Sequence, residues 1–187
     1  MGQDEQSVGT LSQKLIEIGS SAPPLHSYNR QMLRVLIDAT GADAATLWLL
    51  KQSELILSEE MEQESGAVQN IAVPEQQQQE LLRQCFEQGQ PVRAADGPGG
   101  NAGQSAASGS GYIVFIPVRD IRGVRGAVRL VLGSVSEESL RRVVQVAEVI
   151  CGYYSLYSAQ RLLSMQQEQR QEIDKLSKSI LQLQHYT

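Results

Sequence analysis

The stretch YIVFIPVRDIRGVRGAVRLVL, residues 112–132, decides the fold. Its two arms, Tyr112 to Val118 and Val124 to Leu132, are apolar and rich in β-branched residues, and the charged run Arg119-Asp120-Ile121-Arg122-Gly123 separates them. Arms of this kind joined by a short polar connection predict an antiparallel hairpin. In the second arm Val128, Leu130 and Leu132 alternate with Arg129 and Val131, so one face is wholly apolar and the other only partly so. The wholly apolar face is the one expected to meet a core.

On the C-terminal side, Ser136 to Thr187 holds no proline and one glycine, which predicts a single very long helix. Either Ser134 or Ser136 can cap it, with Glu137 and Glu138 in the first turn where negative charge is favoured. Its first half carries a broad stripe of Leu140, Val143, Val144, Ala147, Ile150, Tyr153, Tyr154 and Tyr157, wide enough to cover a globular core. The second half narrows to Ile173, Leu176, Ile180 and Leu183, spaced as the a and d positions of a two-stranded coiled coil. These four are the expected dimer interface. Gln166 and Gln169 hold the preceding a and d positions, so the seam softens where the rod leaves the domain.

On the N-terminal side, Val8, Leu11, Leu15 and Ile18 repeat at helical spacing after about seven polar residues that are expected to fray. Gly19-Ser20-Ser21 and then Pro23-Pro24 break the chain. A second amphipathic helix follows with Leu25, Tyr28, Met32, Leu33, Leu36 and Ile37, closing near Gly41. Ala44 to Leu50 and Glu54 to Met61 predict a strand pair about a polar turn at residues 51–53. Ile71 to Val73 predicts a short edge strand, and Pro74 fits the first turn of a helix marked by Leu81, Leu82, Cys85 and Phe86 and stopped by Gly89. Pro91 to Ala95 predicts another short strand. Asp96 to Gly111 contains no large apolar residue, so a mobile loop is expected there.

Helices and hairpin-connected strands in this order predict an α+β fold, an antiparallel sheet with helices packed on one face and a long C-terminal helix extending into a coiled coil. The expected divisions are residues 1–24 as N-terminal helix and linker, 25–160 as the domain with its 96–111 loop, and 161–187 as the coiled-coil extension.

The residues themselves resemble a GAF domain. The likeness rests on Gly41-Ala-Asp-Ala-Ala-Thr-Leu-Trp-Leu-Leu50 and on Val73-Pro74 leading into a helix that ends Glu87-Gln-Gly-Gln-Pro-Val-Arg-Ala-Ala-Asp96. It extends to Ile116-Pro-Val-Arg119 followed by Gly126-Ala-Val-Arg-Leu-Val131. The resemblance implies a sensory or regulatory module, often dimeric, that in some members holds a small molecule between the sheet and the helix-loop segment above it. By position alone, Arg93, Asp96, Ser110 and Tyr112 would bracket the mouth of such a pocket. No residue set resembles a cyclic-nucleotide signature, no cysteine stands in or beside the loop to attach a bilin, and the residues name no cofactor.

Composition narrows the function further. The net charge is -5 and the basic residues are scattered, which argues against nucleic-acid binding. No run approaches the roughly 18 apolar residues of a spanning helix, and the opening MGQDEQSVGT lacks the pattern of a secretory signal, so a cytoplasmic protein with no membrane contact is expected. His26 and His185 stand apart from any metal-binding set. Cys85 and Cys151 each fall in an apolar stripe and read as buried, reduced thiols. Arg119, Arg122, Arg125 and Arg129 read as solvated hairpin charges, and Trp48 and Tyr112 as core aromatics. No nucleophile–base grouping presents itself, so no catalytic residue is assigned. The expected function is a regulatory module that dimerises through its terminal helices and couples a small molecule or partner to a neighbouring region of a longer chain. The alternative is a ligand-free assembly adaptor without catalytic activity.

Overall fold

The hairpin forms as its alternation predicts, with Tyr112 opposite Leu132 and Ile116 opposite Val128. Its turn is tighter than the charged run suggests, because strand pairing continues to Asp120 and Gly123 and leaves only Ile121 and Arg122 in the bend. The Arg122 N–H donates to Asp120 Oδ1 at 2.7 Å and closes the turn.

The computed structural model describes residues 2–21, 23–63, 73–95 and 111–185. In chain order these form α1 (Gly2–Ser20), α2 (Leu25–Thr40), β1 (Ala44–Lys51), β2 (Glu54–Glu62) and α3 (Glu75–Gln88). Then come β3 (Val92–Ala95), β4 (Tyr112–Asp120), β5 (Gly123–Leu132) and α4 (Glu137–His185). The strands make one antiparallel sheet in the order β2-β1-β5-β4-β3. α1 begins at Gly2, so the polar residues expected to fray are helical. Pro74 sits one residue ahead of α3, at its N-cap. The expected strand over residues 71–73 and the loop over 96–111 fall almost wholly outside the described residues; Val73 itself is in no strand.

Tyr112, Val114, Ile116 and Val118 of β4 and Val128, Leu130 and Leu132 of β5 point into the main core. There they meet Leu15 of α1, Tyr28, Met32 and Leu36 of α2, and Leu140, Ala147, Ile150 and Tyr157 of α4. Each fully buried Val, Leu, Ile or Met side chain among them contributes about 1.5–3 kcal/mol. The expectation of helices on one face holds for α1, α2 and α4 and needs correction for α3. The alternate residues Ile113, Phe115 and Ala127 are also apolar, and α3 covers them on the opposite face with Cys85, joined there by Ala94 and Val73. Gly89 ends α3 in the left-handed conformation (φ 63°) that a glycine adopts without strain.

Two local features shape the sheet. β1 and β2 slip register between Leu47 and Trp48, which leaves Ser58 as the extra residue of a bulge, and Ser58 Oγ accepts a hydrogen bond from the buried Asn29 of α2 at 3.1 Å. Pro117 lies in a central strand, but β3 pairs only with Tyr112 to Phe115, so the sheet has already lost its outer neighbour at that point.

α4 combines two characters in one continuous helix of 49 residues. The Ser139 N–H donates to Ser136 Oγ at 3.2 Å, so Ser136 is the serine that caps it. Leu140, Val143, Ala147, Ile150, Cys151, Tyr154 and Tyr157 are buried against the sheet and α2. Beyond them Ile173, Leu176 and Ile180 stand exposed at 61%, 58% and 56%. The side chain of Leu183 lies outside the described residues.

Candidate functional site

Arg129 is the polar centre of the face covered by α3. Its position opposite Thr46, beside the β1–β2 ladder, places the guanidinium between the sheet and the first turn of α3. Nη1 donates to Gln78 Oε1 at 2.9 Å, and Nη2 donates to Thr46 Oγ1 at 3.0 Å and to Glu60 Oε1 at 3.4 Å. The Arg129 cation also lies 5.5 Å from the centroid of the Trp48 ring. Burial holds the guanidinium pKa below its ordinary value, with the Glu60 carboxylate opposing that shift. Gln78 in turn donates through Nε2 to the Val73 carbonyl at 2.8 Å, so one cation ties the start of α3 to three strands.

Of the hairpin arginines read as solvated turn charges, Arg122 fits that reading with a side chain 69% exposed, and Arg129 corrects it. Arg129 has a side chain only 22% exposed. Arg119 donates to the Gly89 carbonyl at the end of α3. Arg122 and Arg125 both face the Asp120 carboxylate, at 3.0 Å and 3.5 Å. Trp48 is half-buried and packs near Phe115, with ring centroids 6.1 Å apart, consistent with a core aromatic.

The residues expected at a pocket mouth are placed as follows. Arg93 makes a two-pronged ion pair with Glu137 at the start of α4, at 2.7 Å and 3.1 Å. Tyr112 is buried in the main core. Both side chains therefore lie on the α4 face of the sheet, away from α3. Asp96 and Ser110 lie outside the described residues. Beside Arg93, a cleft of about 340 Å³ opens between β3 and α4, lined by Val114, Arg141 and Val144 among others.

Cys85 and Cys151 are free and buried. Burial pushes the Cys85 thiol up to about 12, with Arg119 opposing the shift, and pushes Cys151 up as well. Neither is a ready nucleophile, because the thiolate is the reactive form. Among the described residues no group of three or more His, Cys, Asp or Glu is placed to hold a metal ion, and no helix is long and apolar enough to cross a membrane.

No protein-family model and no curated protein matches the sequence. Solved structures do. The chain is similar to a GAF domain of A. aeolicus solved in an inactive state, with a TM-score of 0.62 at 13% identity over 84% of this chain and 98% of that one. It is also similar to the GAF domain of a protein described as a sensor histidine kinase from Pseudomonas syringae pv. tomato, with a TM-score of 0.52 at 10% identity over 90% of this chain and 97% of that one. The chain, with its five-stranded antiparallel sheet, thus has the fold of a GAF domain.

Proposed function

We propose that the chain is a regulatory, non-catalytic GAF-type module that dimerises through its terminal helices and passes a conformational bias along α4. The observation that carries this reading is the continuity of α4. One helix is fixed to the sheet by Leu140, Ala147, Ile150 and Tyr157 and then presents Ile173, Leu176 and Ile180 to solvent at coiled-coil spacing. α1 packs against the same helix, with Leu15 in the shared core, so both ends of the chain meet at one layer. A binding event in the domain that favours one packing of α4 would shift the register or splay of the paired rods. Sedimentation of the full chain and of a chain ending at Gln160 tests the reading. A dimer that becomes a monomer on shortening is expected; a monomer in both cases overturns it.

The Arg129 cluster favours a second reading, a ligand-free adaptor. Gln78, Thr46, Glu60 and Trp48 already engage the cation between the sheet and α3, so the chain's own side chains fill that space. A thermal-shift screen of nucleotides, tetrapyrroles and amino acids separates the two readings, since reproducible stabilisation by a ligand contradicts the adaptor.

A further inference from the structure

At the end of the sheet opposite the Arg93–Glu137 pair, where α4 leaves the domain, the structure holds an open groove of about 670 Å³. It lies on the face away from α3, between the β1–β2 and β4–β5 turns and the segment of α4 from Tyr154 to Met165. Its apolar wall includes Leu25, Ile56, Ile121, Leu162 and Met165, all between 44% and 68% exposed. So many large apolar side chains converging on one hollow of a soluble-type surface is the pattern of a binding surface rather than of scattered exposure.

The rim is cationic. Lys51, Arg122 and Arg125 line the groove beside the carboxylate of Asp120, in a chain whose net charge is -5. Asp120, with its side chain 4% exposed, bonds Arg122 at 3.0 Å and approaches Arg125 at 3.5 Å. One buried carboxylate thus fixes two guanidinium groups at the mouth while leaving the rim positive. An apolar trough closed by fixed cations is complementary to one chemistry, an alkyl chain with an anionic head.

We propose that this groove binds a free long-chain carboxylate, its alkyl chain laid along Ile56, Ile121 and Leu162 and its head at Arg122, Arg125 and Lys51. The volume lies within the range of small-molecule sites, roughly 300–1,000 Å³. An occupant would touch both strand turns and α4, and would therefore bias the angle at which the rod departs. That consequence rests on the regulatory reading above, whereas the binding site does not, and sedimentation tests the one while titration tests the other.

Titration calorimetry of the full chain with dodecanoate, dodecylammonium and acetate decides it. Saturable binding of one dodecanoate per chain is expected, with dodecylammonium at least about tenfold weaker and acetate without measurable heat. Ile56→Glu, opposite Leu49 on the groove face of the sheet, should abolish dodecanoate binding. Lys51→Glu, on the other turn and clear of Asp120, should weaken it about tenfold with an unchanged circular dichroism spectrum. Equal affinity for both headgroups overturns the proposal, as does binding that survives both substitutions in a folded protein. Binding only to vesicles of anionic phospholipid also overturns it, assigning the groove to a membrane surface. If Ile56→Glu instead turns a dimer into a monomer with no carboxylate bound to the parent chain, the groove is a contact between copies and the proposal fails.

Discussion

Tyr28 and Tyr157 lie ring on ring, with centroids 3.8 Å apart and planes 5° from parallel, and their hydroxyls meet opposite fates. Tyr157 Oη donates to the Pro23 carbonyl at 2.6 Å, which pins the α1–α2 linker to α4 across 134 residues of sequence. The Tyr28 hydroxyl is buried and finds no hydrogen-bond partner among the described residues. The same edit should therefore act in opposite directions. Tyr157→Phe is expected to lower the free energy of unfolding in urea by about 1 kcal/mol, and Tyr28→Phe to leave it unchanged or raise it by up to about 1 kcal/mol. A loss on Tyr28→Phe as large as on Tyr157→Phe would show that the Tyr28 hydroxyl is bonded after all.

The Arg129 cluster makes a second prediction. Arg129→Ala removes hydrogen bonds to Gln78 and Thr46 and the stacking on Trp48, and it leaves the buried Thr46 and the partly buried Gln78 without that donor. The Glu60 contribution is small because that carboxylate is half exposed. A loss of about 2–3 kcal/mol is expected. Arg129→Lys keeps the charge but loses the planar fork, and is expected to recover less than half of that loss. Trp48 is the only tryptophan of the chain, so its fluorescence reports the cluster directly during urea unfolding.

Much of the scaffold was legible because the signals are local. The hairpin arms, the Gly41 and Gly89 stops and the proline-free run of α4 each act within a few residues. The placement of α3 was not, because Ile113, Phe115 and Ala127 make the second face of the hairpin apolar as well, and alternation does not say which helix covers which face. Arg129 looked solvated for a related reason: an arginine between valine and leucine marks the less apolar face, and only Gln78, 51 residues away, shows that this face has a roof. The Arg93–Glu137 pair spans 44 residues and left no spacing to read. The groove beside Ile121 draws on α2, both hairpins and α4, so no window of sequence contains it.

Two glycines separate a packing requirement from a tolerated one. A Cβ built on Gly126 would lie 2.0 Å from the Trp48 carbonyl oxygen, which belongs to the backbone of the neighbouring strand and has no rotamer to yield. Gly126→Ala must therefore spread β1 from β5, at an expected cost of about 3 kcal/mol or more. A Cβ on Gly152, midway along the sheet-packed part of α4, meets nothing within 4 Å. Gly152→Ala is expected to stabilise by about 0.5–1 kcal/mol through helix propensity alone. Thermal unfolding of the two variants beside the parent chain checks both signs at once.

Stability should fall steeply on the alkaline side. Burial raises Cys85 from its ordinary value of 9.0 to about 12 and Tyr154 from 10.0 to about 12, and it raises Cys151 and Tyr28 as well. Each group is neutral when protonated, and the folded state keeps that proton to higher pH than the unfolded state does. Above about pH 9 the unfolded chain thus binds fewer protons than the native one, so the free energy of unfolding decreases as pH rises, by up to about 1.4 kcal/mol per pH unit for each group. The window runs from about pH 9 to about pH 12, and below about pH 8 these four groups contribute no slope. Urea midpoints measured from about pH 7 to about pH 10.5 should be flat and then fall. Cys85→Ala, although less stable at neutral pH through its lost packing, should show the shallower fall because one of the four groups is gone. An unchanged slope in that variant would mean that Cys85 ionises in the folded protein as readily as in the unfolded one, against its burial beneath α3.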